Sequence, residues 1–259
     1  AAYNAAATLI NLQIDGKSTS VPEGSTILDA IHKVGSHVPT LCYHPEFAPK
    51  AVCRMCLVDV EGANKPVPSC RTQVKEGQII HTNTQALKDF RKRDLQFLLS
   101  RHPNDCMRCE ASGNCKLQDL VQEEQVQDIW PKMERGSNEH PEHILHDHTS
   151  PSIYRDMDKC IECGLCVDAC AAQKISKLLY SQEEIDFKHF DKSNFLLLQI
   201  DAIGFAERGA GMLPITAFDK PLCQTGCISC GQCILRCPVG ALIERPDWHR
   251  VLDELDSKK

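Results

Sequence analysis

Cys160-Ile161-Glu162-Cys163-Gly164-Leu165-Cys166-Val167-Asp168-Ala169-Cys170 and Cys227-Ile228-Ser229-Cys230-Gly231-Gln232-Cys233-Ile234-Leu235-Arg236-Cys237-Pro238 are two copies of one pattern, C-x2-C-x2-C-x3-C. Three sulfurs this close together grip one cubane of iron and sulfide, and the fourth reaches a second cubane. The repeat predicts two pseudo-symmetric halves that exchange ligands. Cys160, Cys163 and Cys166 are expected to hold one [4Fe–4S] cluster with Cys237, and Cys227, Cys230 and Cys233 a second with Cys170.

Upstream, the cysteines form two further ligand-sized groups. In H-x3-C-x2-C-x5-C, His102 joins Cys106, Cys109 and Cys115, where three sulfurs otherwise lack a fourth ligand. Imidazole is a neutral donor, so this third [4Fe–4S] cluster should accept an electron more readily than an all-thiolate one. Cys42, Cys53, Cys56 and Cys70, spaced C-x10-C-x2-C-x13-C, can wrap a [2Fe–2S] centre, although the spacing departs from the plant-type C-x4-C-x2-C. A Rieske centre would want its later pair to end in histidine, whereas Cys53-Arg54-Met55-Cys56 ends in sulfur, so His44 reads as a loop residue. One [2Fe–2S] and three [4Fe–4S] clusters use fifteen of the sixteen cysteines plus His102 and leave Cys223, read as a small buried residue. Zinc explains isolated C-x2-C pairs but not the repeated run. Disulfides fit poorly, because a 259-residue chain buries cores without staples.

The intervening sequence predicts α+β architecture in three modules: residues 1–83, 84–149 and 150–259. In the first, Thr8 to Ile14 alternates apolar with polar, Asp15-Gly16 turns, and Ser18 to Val21 returns. Ser25 then caps a helix bearing Ile27, Leu28, Ile31 and Val34, with Gly35 beyond its end. A β-grasp [2Fe–2S] ferredoxin-like domain follows, with a strand at Leu57 to Val60. The second is a small helical [4Fe–4S] module with one histidine and three cysteines as ligands. There Thr84 through Ser100 forms an amphipathic helix on Leu87, Phe90, Leu95, Leu98 and Leu99, with Arg91, Lys92 and Arg93 solvated, and ends at His102-Pro103. A further helix is expected from about Lys116 to Trp130, stopped by Pro131, carrying Leu117, Leu120, Val121 and Ile129 over the site. His140, His143, His146 and His148 punctuate what reads as a linker. The third module is a bacterial-type 2[4Fe–4S] ferredoxin domain with an insertion at about 174–199, whose Phe187, Phe190 and Phe195 are expected to pack on a neighbouring module, and a C-terminal tail.

A formal charge of −6 excludes a strongly basic nucleic-acid surface, and no apolar run approaches the ~20 residues of a membrane-spanning helix. Thiolate-bound clusters imply a reducing compartment, either a prokaryotic cytoplasm or the matrix of a mitochondrion or hydrogenosome-like organelle. The opening AAYNAAA lacks the features of a secretory signal. Gly209-Ala210-Gly211 lacks the third glycine and the strand-to-helix setting of a dinucleotide fingerprint, and no catalytic triad or general-base constellation is present.

LCYHPEF and CRMCLVDVEG, HPNDCMRCEASGNCKLQDL, and IDAIGFAERG leading into CGQCILRCPVGALIE together resemble the iron–sulfur region shared by the large iron–sulfur subunit of respiratory complex I, diaphorase subunits of NAD-reducing hydrogenases and [FeFe]-hydrogenase N-termini. The resemblance covers roughly Leu9 to Glu244 and implies the same four ligand sets. Trp248-His249-Arg250-Val251-Leu252 resembles the helix leading to a hydrogenase catalytic domain, but no cysteines remain for a hydrogen-activating cluster. Ala171 replaces a proline that often follows the first repeat, and the insertion is long; neither removes a ligand. The implied function is an electron-transfer component of an oxidoreductase complex with no catalytic site of its own. It would sit in a hetero-oligomer with a flavin- and NADH-binding subunit, a hydrogenase catalytic subunit, or ferredoxin. The alternatives are the accessory part of a hydrogenase whose catalytic domain is separate, and a scaffold in which clusters only brace the fold.

Overall fold

Strand β1 (Leu9–Ile14) buries Leu12 and Ile14, and Asp15 and Gly16, both at positive φ, turn it into the antiparallel β2 (Lys17–Pro22). Left-handed residues at both turn centres match the natural twist of a two-residue hairpin. The Asp15 carboxylate also accepts hydrogen bonds from the amide and hydroxyl of Thr82, at 2.8 and 2.6 Å. The computed structural model describes residues 8–129, 131–133, 146–178 and 195–257. These fall into two units, one within Ala1–Arg135, Asp158–Cys163 and Pro238–Gly240, the other within Gly136–Met157, Gly164–Cys237 and Ala241–Lys259. The opening AAYNAAA lies outside the described residues, as do Trp130, His140 and His143.

In the first unit, β1 and β2 join β3 (Leu57–Val60), β4 (Val67–Pro68) and β5 (Ile79–His81) in a five-stranded sheet of order β2-β1-β5-β3-β4. The β1–β5 pair is parallel and the others antiparallel. Helix α1 (Ile27–Lys33) packs Ile27, Leu28, Ala30 and Ile31 into one core with Leu12, Ile14, Val58 and Ile80. Cys56 and Cys70 belong to that same core. The cap is Thr26 rather than the expected Ser25: the Thr26 hydroxyl accepts from the Asp29 amide, and the Asp29 carboxylate accepts from the Thr26 amide at 2.8 Å. Only Thr26 has a carboxylate three residues on to return the bond; Ser25 has Leu28 there.

Helix α2 (Gln85–Ser100) buries Leu87, Leu95 and Leu99, as the spacing predicts, and ends at Arg101. Helix α3 is shorter than expected, Lys116–Glu123 instead of reaching residue 130. Leu117 and Leu120 are buried, but Gln122 to Gln125 offers nothing to bury, and the chain leaves the helix through Gln125 at φ 50°. Ile129 is exposed rather than placed over the site.

In the second unit, β6 (His146–Asp147), β7 (Ile153–Asp156) and β12 (Leu242–Glu244) form an antiparallel sheet of order β12-β7-β6. The predicted linker is therefore a strand at its described end, and His148 stacks on Tyr154. Asp147, in β6, is a buried anchor. Burial works to raise its pKa, but hydrogen bonds from Thr149 and the Leu222 amide, with Arg155 at 3.7 Å, hold it below the usual carboxylate value. Helices α4 (Leu165–Ala171) and α5 (Gln232–Arg236) pack on each other, and α4 packs on β10 (Ile203–Ala206). The expected insertion begins and ends as a paired ribbon, β8 (Lys174–Leu178) with β9 (Phe195–Gln199). Phe187 and Phe190 lie outside the described residues, and Phe195 is placed only as backbone of β9. β10 pairs with β11 (Leu213–Thr216), and Gly209 to Gly211 is a short turn between them. A helix, α6 (Trp248–Ser257), follows, with Trp248, Val251 and Leu255 exposed. Among the described residues no helix is long and apolar enough to cross a membrane.

Thr26→Ala removes the capping oxygen of α1 and should cost about 1 kcal/mol of stability. Anaerobic denaturant titration checks this, with a lower midpoint expected at unchanged slope.

Candidate metal centres

The four sulfurs of the first group meet at the edge of the sheet core. Cys42 and Cys53 interact as one pair, Cys56 and Cys70 as another. The hydrogen bond from the Cys53 side chain, then amides of Cys53, Val52 and Cys42, bring the Cys42 thiol down to about 6 against the pull of burial. Cys70, an amide and Ser69 do the same for Cys56, also to about 6. Their partners move the other way: Cys53 is raised by Cys42 and by burial, and Cys70 by Cys56 and by burial. In each pair one thiol is held down and the other pushed up by the same contact, and Cys70 also feels both Cys42 and Cys53. Four acids crowded into one buried pocket resist full ionisation without a cation to share, while amides pointed at the sulfurs favour thiolate. These residues fit a thiolate-bound metal cluster.

His44 lies in the loop after Cys42, where its Nδ1 accepts from the Glu46 amide at 3.3 Å and its ring tilts over Phe47. Arg91 departs from its expected solvated position. It is 4% exposed and donates from Nε to the Met55 carbonyl at 3.1 Å and from Nη2 to the carbonyls of Leu57 and Thr82 at 3.2 and 2.8 Å. Its place at i+4 from Leu87 and i−4 from Leu95 carried the signal, since that row is the buried face of α2. The neighbouring Arg93 does lie outward, over the Phe90 ring.

The second group is built where α2 ends and α3 begins. His102 is buried, its Nδ1 accepts from the Asn104 amide at 3.2 Å, and Lys132 donates to the carbonyls of Leu99 and His102. Cys106 opens a short 3-10 turn, and Cys115 caps α3. Burial raises the Cys115 thiol; amides of Gln118 and Leu117 at the helix start oppose this, and the neighbouring Cys109 and Cys106 add to the rise. The structure thus brings these three sulfurs together. Sequence reasoning missed Gly240 here. A Cβ at that position would stand 2.8 Å from Cys109 Sγ and 3.2 Å from Ala111 Cβ. The same segment is tied to α3 by the Lys116 amide, which donates to the Pro238 carbonyl at 2.9 Å.

The internal repeat is reproduced in the backbone. Glu162 and Ser229, the third residues of the two C-x2-C loops, both take φ 56°, and their amides donate to Cys160 Sγ and Cys227 Sγ at 3.3 and 3.4 Å. Gly164 and Gly231 then begin α4 and α5 at φ 75° and 71°, a left-handed start that glycine adopts without Cβ strain. Within the second unit, Cys170, Cys227, Cys230 and Cys233 converge. Burial and the charges of Cys227, Cys170 and Cys230 push Cys233 up to about 12, and burial likewise raises Cys170, beside Cys227 and Cys230. Cys166 packs with Cys233 in the core of this unit, and Cys237 lies against that core. Cys160 and Cys163 are buried residues of the first unit, where Arg101 pairs with Glu162 at 3.0 Å. Cys223 is exposed, not buried as expected: in its short turn Leu222 takes the inward position.

Residues 7–85 match the 2Fe-2S iron-sulfur cluster binding domain, residues 91–129 the NADH-ubiquinone oxidoreductase-G iron-sulfur binding region, and residues 153–170 the 4Fe-4S binding domain. The chain is thus an iron–sulfur protein of mixed α and β structure, with one 2Fe-2S domain and 4Fe-4S binding regions. Over 96% of its length it is 35% identical to NADP-reducing hydrogenase subunit HndD of Solidesulfovibrio fructosivorans. Over 92% it is 33% identical to the G 2 subunit of NADH-quinone oxidoreductase from Rhizobium meliloti and 31% to NADPH-Fe(3+) oxidoreductase subunit alpha of Geobacter sulfurreducens. It spans 38%, 24% and 24% of those relatives. Its fold resembles a chain in a crystal structure of NAD+-reducing [NiFe]-hydrogenase in the H2-reduced state, with a TM-score of 0.73 at 24% identity over 92% of this chain and 88% of that one. It is therefore similar to an iron–sulfur portion of a G-type subunit of NADH-quinone oxidoreductase and of a subunit of NADP-reducing hydrogenase.

Gly240→Ala should displace Cys109 and so disturb the group it shares with Cys106 and Cys115. Iron analysis is expected to fall by one cubane's content per chain while the [2Fe–2S] EPR signal persists.

Proposed function

We propose that this chain is the electron-relay part of an oxidoreductase complex, passing single electrons between a flavin- and NADH-binding or ferredoxin partner and a catalytic partner of hydrogenase or NADH dehydrogenase type. The observation that carries this reading is the convergence of sulfurs into several separate groups within one chain. A single group would make a cofactor site; several make a route. The ligand sets we propose are Cys42, Cys53, Cys56 and Cys70 for a [2Fe–2S] cluster, and three [4Fe–4S] sets: His102, Cys106, Cys109 and Cys115; Cys160, Cys163, Cys166 and Cys237; Cys227, Cys230, Cys233 and Cys170. The domain reading that goes with them is a β-grasp domain over 1–83, the module with the histidine and three cysteine ligands over 84–149, and a 2[4Fe–4S] ferredoxin domain over 150–259.

Bound clusters supply reversible one-electron chemistry, tuned by ligation, hydrogen bonding and exposure. The chain's own residues bury Cys42, Cys56, Cys70, Cys115 and Cys233 and aim amides at Cys42, Cys115, Cys160 and Cys227. A reducing compartment suits such thiolates. The similarity to a hydrogenase subunit favours a second reading, the accessory portion of a hydrogenase whose catalytic domain lies elsewhere.

Anaerobic isolation of the native assembly, with mass spectrometry of its other polypeptides, separates the two: a flavin- and NADH-binding chain supports the relay, and a hydrogenase catalytic chain alone supports the accessory reading. Iron analysis should give about fourteen irons per chain, the content of one [2Fe–2S] and three [4Fe–4S] clusters. His102→Cys should retain its cluster and lower that cluster's midpoint, because an anionic thiolate replaces a neutral ring. An unchanged midpoint in an EPR-monitored titration would remove His102 from the ligand set.

A further inference from the structure

Around Cys56 two buried polar groups stand that the ligand scheme does not use. Ser69 is 0% exposed, and its hydroxyl has no hydrogen-bond partner. Its backbone is fixed on both sides: the Ser69 amide donates to the Cys56 carbonyl at 3.0 Å, and the Leu28 amide donates to the Ser69 carbonyl at 3.1 Å. The first of these backbone bonds sets the unpartnered hydroxyl beside Cys56, the thiol whose ionisation it favours. An unpartnered hydroxyl in a core is destabilising, so its place beside a sulfur calls for a reason.

Arg91 approaches the same residue from the other side. Its fork holds the carbonyls of Met55 and Leu57, the two neighbours of Cys56 in the chain, and reaches Thr82. Burial works against its charge, while Glu124, Cys56 and Asp59 favour it. Three carbonyl bonds position the guanidinium, and the Cys56 loop cannot shift without breaking two of them.

We propose that Ser69 and Arg91 are the residues that set the reduction potential of the cluster held by Cys42, Cys53, Cys56 and Cys70, by drawing electron density from the Cys56 sulfur. This rests on that ligand assignment. A hydroxyl hydrogen bond to a ligating sulfur and a buried cation nearby both stabilise the reduced, more negative cluster and so raise its potential. Ser69 acts by direct donation. Arg91 acts by charge and by locking the loop.

The test is an EPR-monitored redox titration of the anaerobic holoprotein carrying Ser69→Ala, Ser69→Thr, Arg91→Lys or Arg91→Gln. Ser69→Ala and Arg91→Gln are expected to shift the [2Fe–2S] midpoint to more negative values, while Ser69→Thr, which keeps the hydroxyl, stays near the parent and Arg91→Lys, which keeps the charge, falls between. A purely structural role would change cluster occupancy without this ordering of midpoints. Parent-like midpoints in Ser69→Ala and Arg91→Gln overturn the proposal. Since Arg91→Gln is the variant at risk of not folding, Ser69→Ala and Ser69→Thr decide the matter by themselves. Cys56→Ser serves as the control on the ligand assignment: an unaltered [2Fe–2S] spectrum there overturns that assignment, and the proposal with it, whereas an altered spectrum confines any failure to Ser69 and Arg91.

Discussion

Thiols crowded together in a core repel as soon as they ionise, and this constraint organises the chain. Cys53 and Cys70 are driven up by the same neighbours that drive Cys42 and Cys56 down, and Cys233 is raised by burial and three surrounding sulfurs. Ionising all four sulfurs of such a group is opposed by burial and by their mutual repulsion. A shared cation offsets that repulsion, and its binding free energy would then become folding free energy. The two units of this chain are organised around sulfurs as well as around apolar side chains: Cys56 and Cys70 belong to the core of the first, Cys166 and Cys233 to the core of the second.

Given that constraint, the backbone's task is to bring amides to sulfur. The two C-x2-C loops of the repeat solve it identically, with a non-glycine residue at φ 56° turning an amide onto the first cysteine and a left-handed glycine starting the helix that carries the third. Arg54, one position earlier in the Cys53–Cys56 loop, also has a positive φ, of 58°. In the two repeat loops the turn is a local solution to cysteine spacing, built within four residues. Left-handed non-glycine residues carry strain, and strain of this kind persists where the surroundings over-determine the conformation.

That locality explains what was legible in the sequence. The hairpin at Asp15-Gly16, the strand at Leu57, the end of α2 before Pro103 and the convergence of Cys170 with Cys227, Cys230 and Cys233 all follow from spacing within a short window or from an internal repeat. What escaped were features decided by distant partners. Arg91 has the chemistry of a surface residue and the position of a core one, and only the carbonyls of Met55, Leu57 and Thr82 decide between them. Gly240 has no repeat logic; its lack of a side chain matters because Cys109 lies against it. Cys223 looked like a spare core residue because cysteine commonly is one, but in its turn Leu222 is the residue that is buried and Cys223 is exposed.

The same division separates binding a cluster from tuning it. Ligand residues sit at fixed spacings because a cubane or a two-iron core has a fixed size, and so they can be read along the chain. Potential depends on charges and hydrogen bonds that arrive from anywhere in the fold, such as a serine next to one ligand or an arginine on the following helix. Chains with the same cysteine pattern can therefore hold the same clusters at different potentials and serve different partners. An NADP-reducing hydrogenase subunit, an NADH-quinone oxidoreductase subunit and an NADPH-Fe(3+) oxidoreductase subunit all align with more than nine-tenths of this chain, so likeness along the sequence does not by itself single out a partner. In this chain the cysteine pattern points to the cofactors, and what would set their potentials is to be sought in the residues around the sulfurs.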